Sequence, residues 1–126
     1  MHQLIEDIFE LSPDIRYVAV YELGKLQSAE RRGLEGASAS ESDRYEELLL
    51  NPAILTMAGQ RGKIDCGGLD YVLIRYGNFF HLVQPLPGGL SHVSVSIELG
   101  GEPIAIAAQV GRVIAEYGKA RATLKR

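Results

Sequence analysis

Histidine and cysteine are the residue types in this chain best suited to metal binding or nucleophilic chemistry, and they occur as His2, His81, His92 and Cys66. His81 and His92 fall on neighbouring strands of a predicted hairpin and could lie close together. A catalytic zinc takes three protein ligands and keeps a fourth position open, but His2 and Cys66 stand in distant elements without the spacing of a metal motif. The sequence therefore predicts no metal site, and His81 and His92 are expected to be ordinary half-buried residues of a sheet.

Cys66, in the string IDCGGLD, invites interpretation as a nucleophile. An activated thiolate needs a base, a cationic neighbour or a helix N-terminus. The glycines after Cys66 precede a predicted strand rather than a helix, so the anion-cradling backbone of a phosphate-binding loop is not expected. They are expected instead to provide positive φ for a turn. With no Walker-type motif and no recognisable Ser/His/Asp set, the sequence predicts neither a catalytic residue nor a cofactor.

A loop over residues 31–42, RRGLEGASASES, is the best candidate for a ligand site. Its guanidinium and hydroxyl groups precede a predicted helix start, where a phosphate or a carboxylate could be held. The same composition also fits a flexible loop with serines that cap the helix, and the sequence leaves both interpretations open. The candidate anion-binding or ligand-binding residues are Arg31, Arg32, Ser38, Ser40 and Ser42.

Charge and composition limit the classes of partner. The formal net charge of −3 argues against nucleic-acid binding, which needs a concentrated basic surface. One cysteine cannot form an internal disulfide, which fits a reducing compartment. No apolar run approaches the roughly 20 residues that span a bilayer, and the first ten residues are amphipathic and acidic. We expect a cytoplasmic protein without membrane partners, in which residues 1–126 form a single domain.

The elements that must position these residues follow from the apolar periodicity. Strands are predicted at 15–21, 25–30, 69–76, 79–84 and 90–99, where residues are β-branched, aromatic or alternating. Helices are predicted before the first strand, after the 31–42 loop and from Pro103 onward. The second is expected to end near Gly59–Gly62, and the sequence does not decide whether the helix over 43–60 is continuous or broken at Pro52. Two successive hairpins at the last three strands require an antiparallel sheet, so the fold class is α+β, with order α-ββ-α-βββ-α and helices on both faces of one sheet.

That order, together with a few local strings, resembles the roadblock/dynein-light-chain family, a branch of the profilin-like folds. The strings are IRYVAVYELGKLQS, LDYVLIRYGNFFHLVQPL, LSHVSVSIEL and PIAIAAQVGRVI. The resemblance implies a five-stranded antiparallel sheet in strand order 2-1-5-4-3 and a dimeric state. It also implies a non-catalytic platform, often one that serves small Ras-like GTPases or dynein-type complexes. The long 31–42 loop departs from the family's usual short connection.

In that strand order the 69–76 strand lies at the edge of the sheet. An exposed edge is normally protected by lysine, proline or a bulge, but this run has neither lysine nor proline, and a single charge, Arg75, lies near its centre. We therefore expect it to pair with a second copy across a two-fold axis, with the Tyr45–Met57 helix beside it. The predicted dimer residues are Asp70, Tyr71, Val72, Leu73, Ile74, Arg75, Tyr76, Tyr45, Leu48, Leu49 and Met57.

The sequence thus favours a small non-enzymatic dimerisation or scaffold module, a homodimer that regulates or docks a small Ras-like GTPase or a signalling complex. The alternative is a small-molecule-sensing domain, because profilin-like sheets also hold ligands in pockets. A roomy pocket against the Ser94 and Ser96 face of the sheet would favour that alternative. An enzyme is the third possibility and the one that the residues support least.

Overall fold

The computed structural model describes residues 2–31, 40–87 and 91–124, except for the side chains of residues 40, 41 and 121–124. Apolar and β-branched runs form its strands, and runs with three- to four-residue periodicity form its helices. The elements are α1 (His2–Phe9), β1 (Ile15–Glu22), β2 (Lys25–Glu30), α2 (Ser40–Tyr45), a π-helical turn (Glu46–Leu50), α3 (Asn51–Asp65), β3 (Val72–Arg75), β4 (Phe80–Pro85), β5 (His92–Ile97) and α4 (Pro103–Leu124).

The five strands form one antiparallel sheet in the order β2-β1-β5-β4-β3, with β2 and β3 at its edges. This confirms the predicted α+β class and strand order. The predicted 69–76 strand is shorter than expected, because only Val72–Arg75 pair with β4.

The two faces of the sheet carry different chemistry. Val93, Val95 and Ile97 of β5 point to an apolar core shared with α1 and α4. The alternate residues of β5, among them His92 and Ser94, point to the opposite face. That face lies under α2, the π-helical turn and α3, since His92 bonds Glu47 of the π-helical turn. The polar half of the alternating pattern therefore faces a second helical layer rather than solvent.

The helix around Pro52 is continuous, and a π-helical turn precedes the proline. The backbone N–H of Asn51 donates to the carbonyl of Glu46, five residues back. Proline has no N–H and its ring crowds the carbonyl four residues before it, so the wider π turn accommodates Pro52 without a break. The prediction that this helix ends near Gly59–Gly62 is wrong, because α3 continues to Asp65.

Glycine residues form the turn that follows α3. The carbonyl of Gly62 accepts hydrogen bonds from Cys66 N (3.2 Å) and Gly68 N (3.0 Å). Gly67 and Gly68 have φ of 79° and 94°, as the turn interpretation of this segment expects. An added Cβ at Gly62 would lie 3.1 Å from the carbonyl carbon of Gly68, so a side chain at this position would crowd the neighbouring backbone.

Candidate functional site

A cluster of buried polar side chains joins the long helix to the sheet. Glu47 of the π-helical turn and Asn51 of α3 lie against three sheet residues, which are Tyr17 of β1, His92 of β5 and His81 of β4. All five side chains are buried. We call these five residues the polar cluster.

Glu47 is the centre of the polar cluster. Its carboxyl group accepts hydrogen bonds from the Tyr17 hydroxyl (3.2 Å), Asn51 Nδ2 (2.9 Å) and His92 Nε2 (2.8 Å). Three donors compensate much of the cost of removing this group from water. Because the donors come from two strands and from the next turn of the helix, the carboxyl group fixes the helix in one position over the sheet.

Asn51 continues the chain of hydrogen bonds to His81. With its Nδ2 directed at Glu47, its Oδ1 accepts from His81 Nε2 at 2.8 Å. An amide oxygen can only accept, so His81 Nε2 carries a proton. The other ring nitrogen, Nδ1, is buried and lies 3.5 Å from Oε1 of Glu46.

The pKa values in this region are shifted in opposite directions. Burial, followed by the negative charges of Glu47 and Asp43, raises the pKa of Glu46 from 4.5 to about 7. Burial lowers the pKa of His81 from 6.5 to about 4, although the Glu47 charge acts against that shift. Below pH 7 the Glu46 carboxyl is therefore mostly protonated, whereas His81 stays neutral down to about pH 4.

Tyr17 is held in its protonated, hydrogen-donating form. Burial, and then the charge of Glu47, raises the pKa of this hydroxyl above its usual value of 10. Although His92 also lines a cavity, the side chains of the polar cluster are buried and bonded to one another. Its geometry suits a structural role, in which it anchors the helix, rather than acid–base catalysis on a bound molecule.

The expectation that His81 and His92 are half-buried sheet residues is wrong, because both side chains are buried. Sequence reasoning missed Glu47 and Asn51 as partners. Their spacing of four residues, which places two polar side chains on one helix face, was the available signal.

The predicted dimer residues occupy an open edge and an exposed helix face. Tyr45, Leu49 and Met57 are 64%, 61% and 73% exposed, and Ile64, farther along α3, is 76% exposed. We call these four residues the apolar stripe. Sequence reasoning missed Ile64, because α3 was expected to end before it. Leu48 is less exposed, at 37%.

The edge strand lies beside one end of this stripe. Tyr45 and Tyr76 line one surface depression of about 470 Å³, together with Ser42, Glu46 and Leu50. Within β3, Val72, Leu73 and Ile74 are half-buried and Arg75 is exposed, and nearby Tyr71 and Tyr76 are half-buried and Asp70 exposed. The Arg75 guanidinium folds back to donate to the carbonyl of Tyr76 at 2.8 Å. The structure thus brings the two predicted halves of the dimer surface together at Tyr45 and Tyr76.

The candidate anion loop is only partly described. Arg31 donates to the carbonyls of Ile15 (2.7 Å), Ser12 (2.9 Å) and Phe9 (3.1 Å). Its guanidinium group therefore binds the chain's own backbone. Arg32 and Ser38 lie outside the described residues, as does the side chain of Ser40, whose backbone begins α2. Ser42 is exposed near Tyr45. An anion site in this loop stays a prediction.

A second cavity, of about 420 Å³, lies between α3 and the neighbouring ends of β4 and β5. We call it the α3 cavity. Leu55 and Pro85 are among its apolar walls, and Thr56, Lys63 and His92 are among its polar ones. Its volume is within the range of pockets that bind small molecules.

The remaining candidate, Cys66, is exposed, and its sulfur lies 3.2 Å from Arg61 Nη1. Within the described ranges, no three His, Cys, Asp or Glu side chains are grouped so that they could hold a metal ion. None of the helices described for this chain is both long and apolar enough to cross a membrane.

Neither a protein-family model nor a curated protein matches the sequence, but solved structures match the fold. The Roadblock/LC7 domain from Streptomyces avermitilis aligns with a TM-score of 0.70 at 11% identity, over 100% of this chain and 98% of that one. The gliding protein MglB from Thermus thermophilus aligns with a TM-score of 0.63 at 8% identity, over 91% and 85%. A structure of MglB with a tetrameric arrangement gives 0.59 at 10% identity, over 91% and 88%. At such identities the likeness establishes the fold and leaves the function to be argued from the surface.

Proposed function

We propose, from the premise that this chain has the roadblock/LC7 fold, that it is a non-enzymatic interaction module that forms a homodimer through β3 and the apolar stripe. The observation that carries this proposal is the position of an unprotected edge strand next to a row of exposed apolar side chains. We further propose that the dimer works in the cytoplasm.

The edge of β3 supports pairing with a second chain. Among the described strands, β3 pairs with β4 alone, so its outer backbone groups have no partner in the described sheet. It carries no proline or lysine, and Arg75 folds along the turn instead of over the edge. Since such edges pair readily with other strands, two copies related by a two-fold axis would extend the sheet across the seam.

The long helix supports the same surface. In the part of α3 that the structure describes, the only buried residues are Asn51 and Gly62, and large apolar residues such as Met57 face outward. Large apolar side chains exposed along one helix are candidates for a protein–protein interface. Burial of Tyr45, Leu49 and Met57 against a second helix would remove that surface from water, at roughly 25 cal/mol per Å² of apolar area.

The proposed partner follows from the resemblance. Roadblock-type domains commonly serve as platforms for small Ras-like GTPases or signalling complexes, and the tetrameric arrangement of MglB supports assembly by this fold. The non-enzymatic part rests on the polar cluster, whose titratable side chains are buried and engaged in hydrogen bonds within the protein. We propose a small Ras-like GTPase as the partner, bound by the paired helices.

Dimer formation is tested by one change from an apolar to a charged side chain and a matched control. Leu49→Glu places a carboxylate in the apolar stripe, whereas Ile104→Glu places one on α4, at a residue that is 69% exposed. At micromolar concentration, analytical ultracentrifugation should show a dimer for the wild type and for Ile104→Glu, and a monomer for Leu49→Glu. A monomeric wild type, or a Leu49→Glu dimer of unchanged affinity, would contradict the proposed seam.

The partner is tested with the same variants as baits. Capture from native lysate followed by mass spectrometry should enrich a small GTPase with the wild type and with Ile104→Glu, but not with Leu49→Glu. Equal recovery of every GTPase by the wild type and Leu49→Glu would refute docking on the paired helices.

A second candidate function is small-molecule sensing, and the observation that favours it is the α3 cavity. His92 in its wall shares a sheet face with Ser94 and Ser96, against which the sequence predicts a pocket, but neither serine is among the residues that line the cavity. Occupancy of this cavity would brace α3 and thereby the helix that carries the apolar stripe.

A further inference from the structure

Helix α3 is held in place near both of its ends. At the first anchor, Asn51 is part of the buried polar cluster. At the second, Gly62 backs directly onto Gly68, 3.1 Å from an added Cβ, and its carbonyl accepts two backbone N–H groups. Between these anchors, no residue from 52 to 61 is buried. The space that this span leaves open is the α3 cavity.

The walls of the α3 cavity divide into an apolar and a polar part. Leu55, Leu69 and Pro85 provide hydrocarbon surface, and Thr56, Lys63 and His92 provide polar groups. Lys63 is the only lining residue with a fixed charge among those described, and none of the described carboxylates lies within ion-pair distance of it. An apolar cavity with an unpaired cation at its wall complements a molecule with a hydrocarbon body and one negative group.

We propose that the α3 cavity binds a small amphipathic carboxylic acid, with its hydrocarbon part against Leu55, Leu69 and Pro85 and its carboxylate at Lys63. His92 belongs both to the cavity wall and to the polar cluster, since its Nε2 donates to Glu47. A ligand in the cavity therefore contacts a side chain that anchors the helix to the sheet.

Binding here would give the chain its sensing function without requiring a dimer. The residues that line the cavity include none of the predicted dimer residues. The two proposals can therefore fail separately: Leu49→Glu should lose dimer formation and keep ligand binding.

The test uses octanoate as the probe and a glycine that lines the cavity. An added Cβ at Gly59 meets no atom within 4 Å, so Gly59→Leu can place a side chain in the cavity region without a backbone clash. The change also favours helix formation, so the variant should fold, and its circular dichroism melt checks this. Gly118→Leu is the matched control, because Gly118 of α4 is equally open and does not line the cavity.

By isothermal titration calorimetry we expect the wild type and Gly118→Leu to bind octanoate with a dissociation constant below about 1 mM. Gly59→Leu should bind at least about tenfold more weakly, a difference of about 1.4 kcal/mol. An absence of saturable wild-type binding up to about 1 mM, or equal binding by folded Gly59→Leu, would overturn the proposed site.

The role of the charge is tested with octanol as the uncharged match of the probe. Lys63→Gln should weaken octanoate binding by about fivefold, as expected for one exposed ion pair, and leave octanol binding unchanged. Lys25→Gln on β2 is the matched control and should change neither. If Lys63→Gln weakened acid and alcohol equally, or changed neither, the assignment of the carboxylate to Lys63 would be wrong.

Discussion

The pair formed by Glu46 and His81 predicts a pH dependence that only single variants reveal. The pKa of Glu46 is raised from 4.5 to about 7 and that of His81 is lowered from 6.5 to about 4. At 1.36 kcal/mol per pH unit, each shift corresponds to about 3 kcal/mol of folding stability. Both groups are largely withdrawn from water, since the Glu46 side chain is 16% exposed and His81 is fully buried.

The two contributions have opposite signs. A raised carboxyl pKa gives stability that is complete below pH 4.5 and is lost as the pH rises through about 7. A lowered histidine pKa gives stability that is complete above pH 6.5 and is lost as the pH falls through about 4. Between pH 4.5 and 6.5 the unfolded pair carries its proton on His81 and the folded pair carries it on Glu46. The number of bound protons is the same, so we expect these two groups to contribute almost no slope in the wild type.

The titratable groups around Glu46 and His81 change the pKa values of this pair or are changed by its charge. Glu47 and Asp43 lie on its own helix, and the charge of Glu46 contributes to the raised pKa of Tyr76, which follows β3. Across the sheet, His92 adds to the lowered pKa of His81, and Glu47 opposes it. A substitution at Glu46 also removes its effect on the pKa of Tyr76, but that pKa is raised above 10 and lies outside the pH range of the test.

Urea unfolding of matched variants across this range measures the effect. Glu46→Gln should lose about 3 kcal/mol of unfolding free energy as the pH falls from about 6.5 to 4, because His81 is then uncompensated. His81→Gln should lose about as much as the pH rises from about 4.5 to 7. Glu116→Gln, at an exposed carboxyl of α4, should follow the wild type. Parallel curves for the wild type and Glu46→Gln, or slopes of the same sign for the two variants, would refute the reasoning.

Two further substitutions test the backbone strain at Leu23 and the hydrogen bonds of Arg31. Leu23 has a φ of 56° and is 80% exposed in the β1–β2 turn. Leu23→Asn should raise the unfolding free energy, measured in urea, by about 1 kcal/mol, because asparagine tolerates this conformation. A lower unfolding free energy would contradict backbone strain at Leu23. Arg31→Lys should lower it by about 2 kcal/mol, because an ammonium cannot replace a fork bonded to three carbonyls. Arg61→Lys, at an exposed ion pair, is its control, and an equal effect of the two lysine variants would refute the structural role of Arg31.

The order of the elements could be predicted because it depends on local patterns. The alternation in β5 identifies its two faces, and the Leu23-Gly24 and Gly77-Asn78 turns lie between antiparallel neighbours as expected. Element ends were less predictable. The extension of α3 to Asp65 depends on the close approach of Gly62 to Gly68, which is a contact between segments rather than a local preference.

The polar cluster could not be predicted as a unit. Its hydrogen bonds join residues that are far apart in the chain, such as His92 with Glu47 and His81 with Asn51. The sequence shows that Glu47 and Asn51 share a helix face, but not that this face lies over two histidines. The same holds for the α3 cavity, whose lining residues come from α3, from the segment after it and from the ends of β4 and β5.

The sequence by itself determined the fold class, the sequence of helices and strands, the pairing of adjacent strands and the lack of lysine and proline in the 69–76 strand, because periodicity, turn residues and composition act over a few neighbouring positions. Only the tertiary structure decided the burial of His81 and His92, the engagement of Arg31 with backbone carbonyls and the cavity beneath α3. These features depend on how one layer is placed over another, and that placement is set by long-range packing and by the need of each buried polar group for a partner.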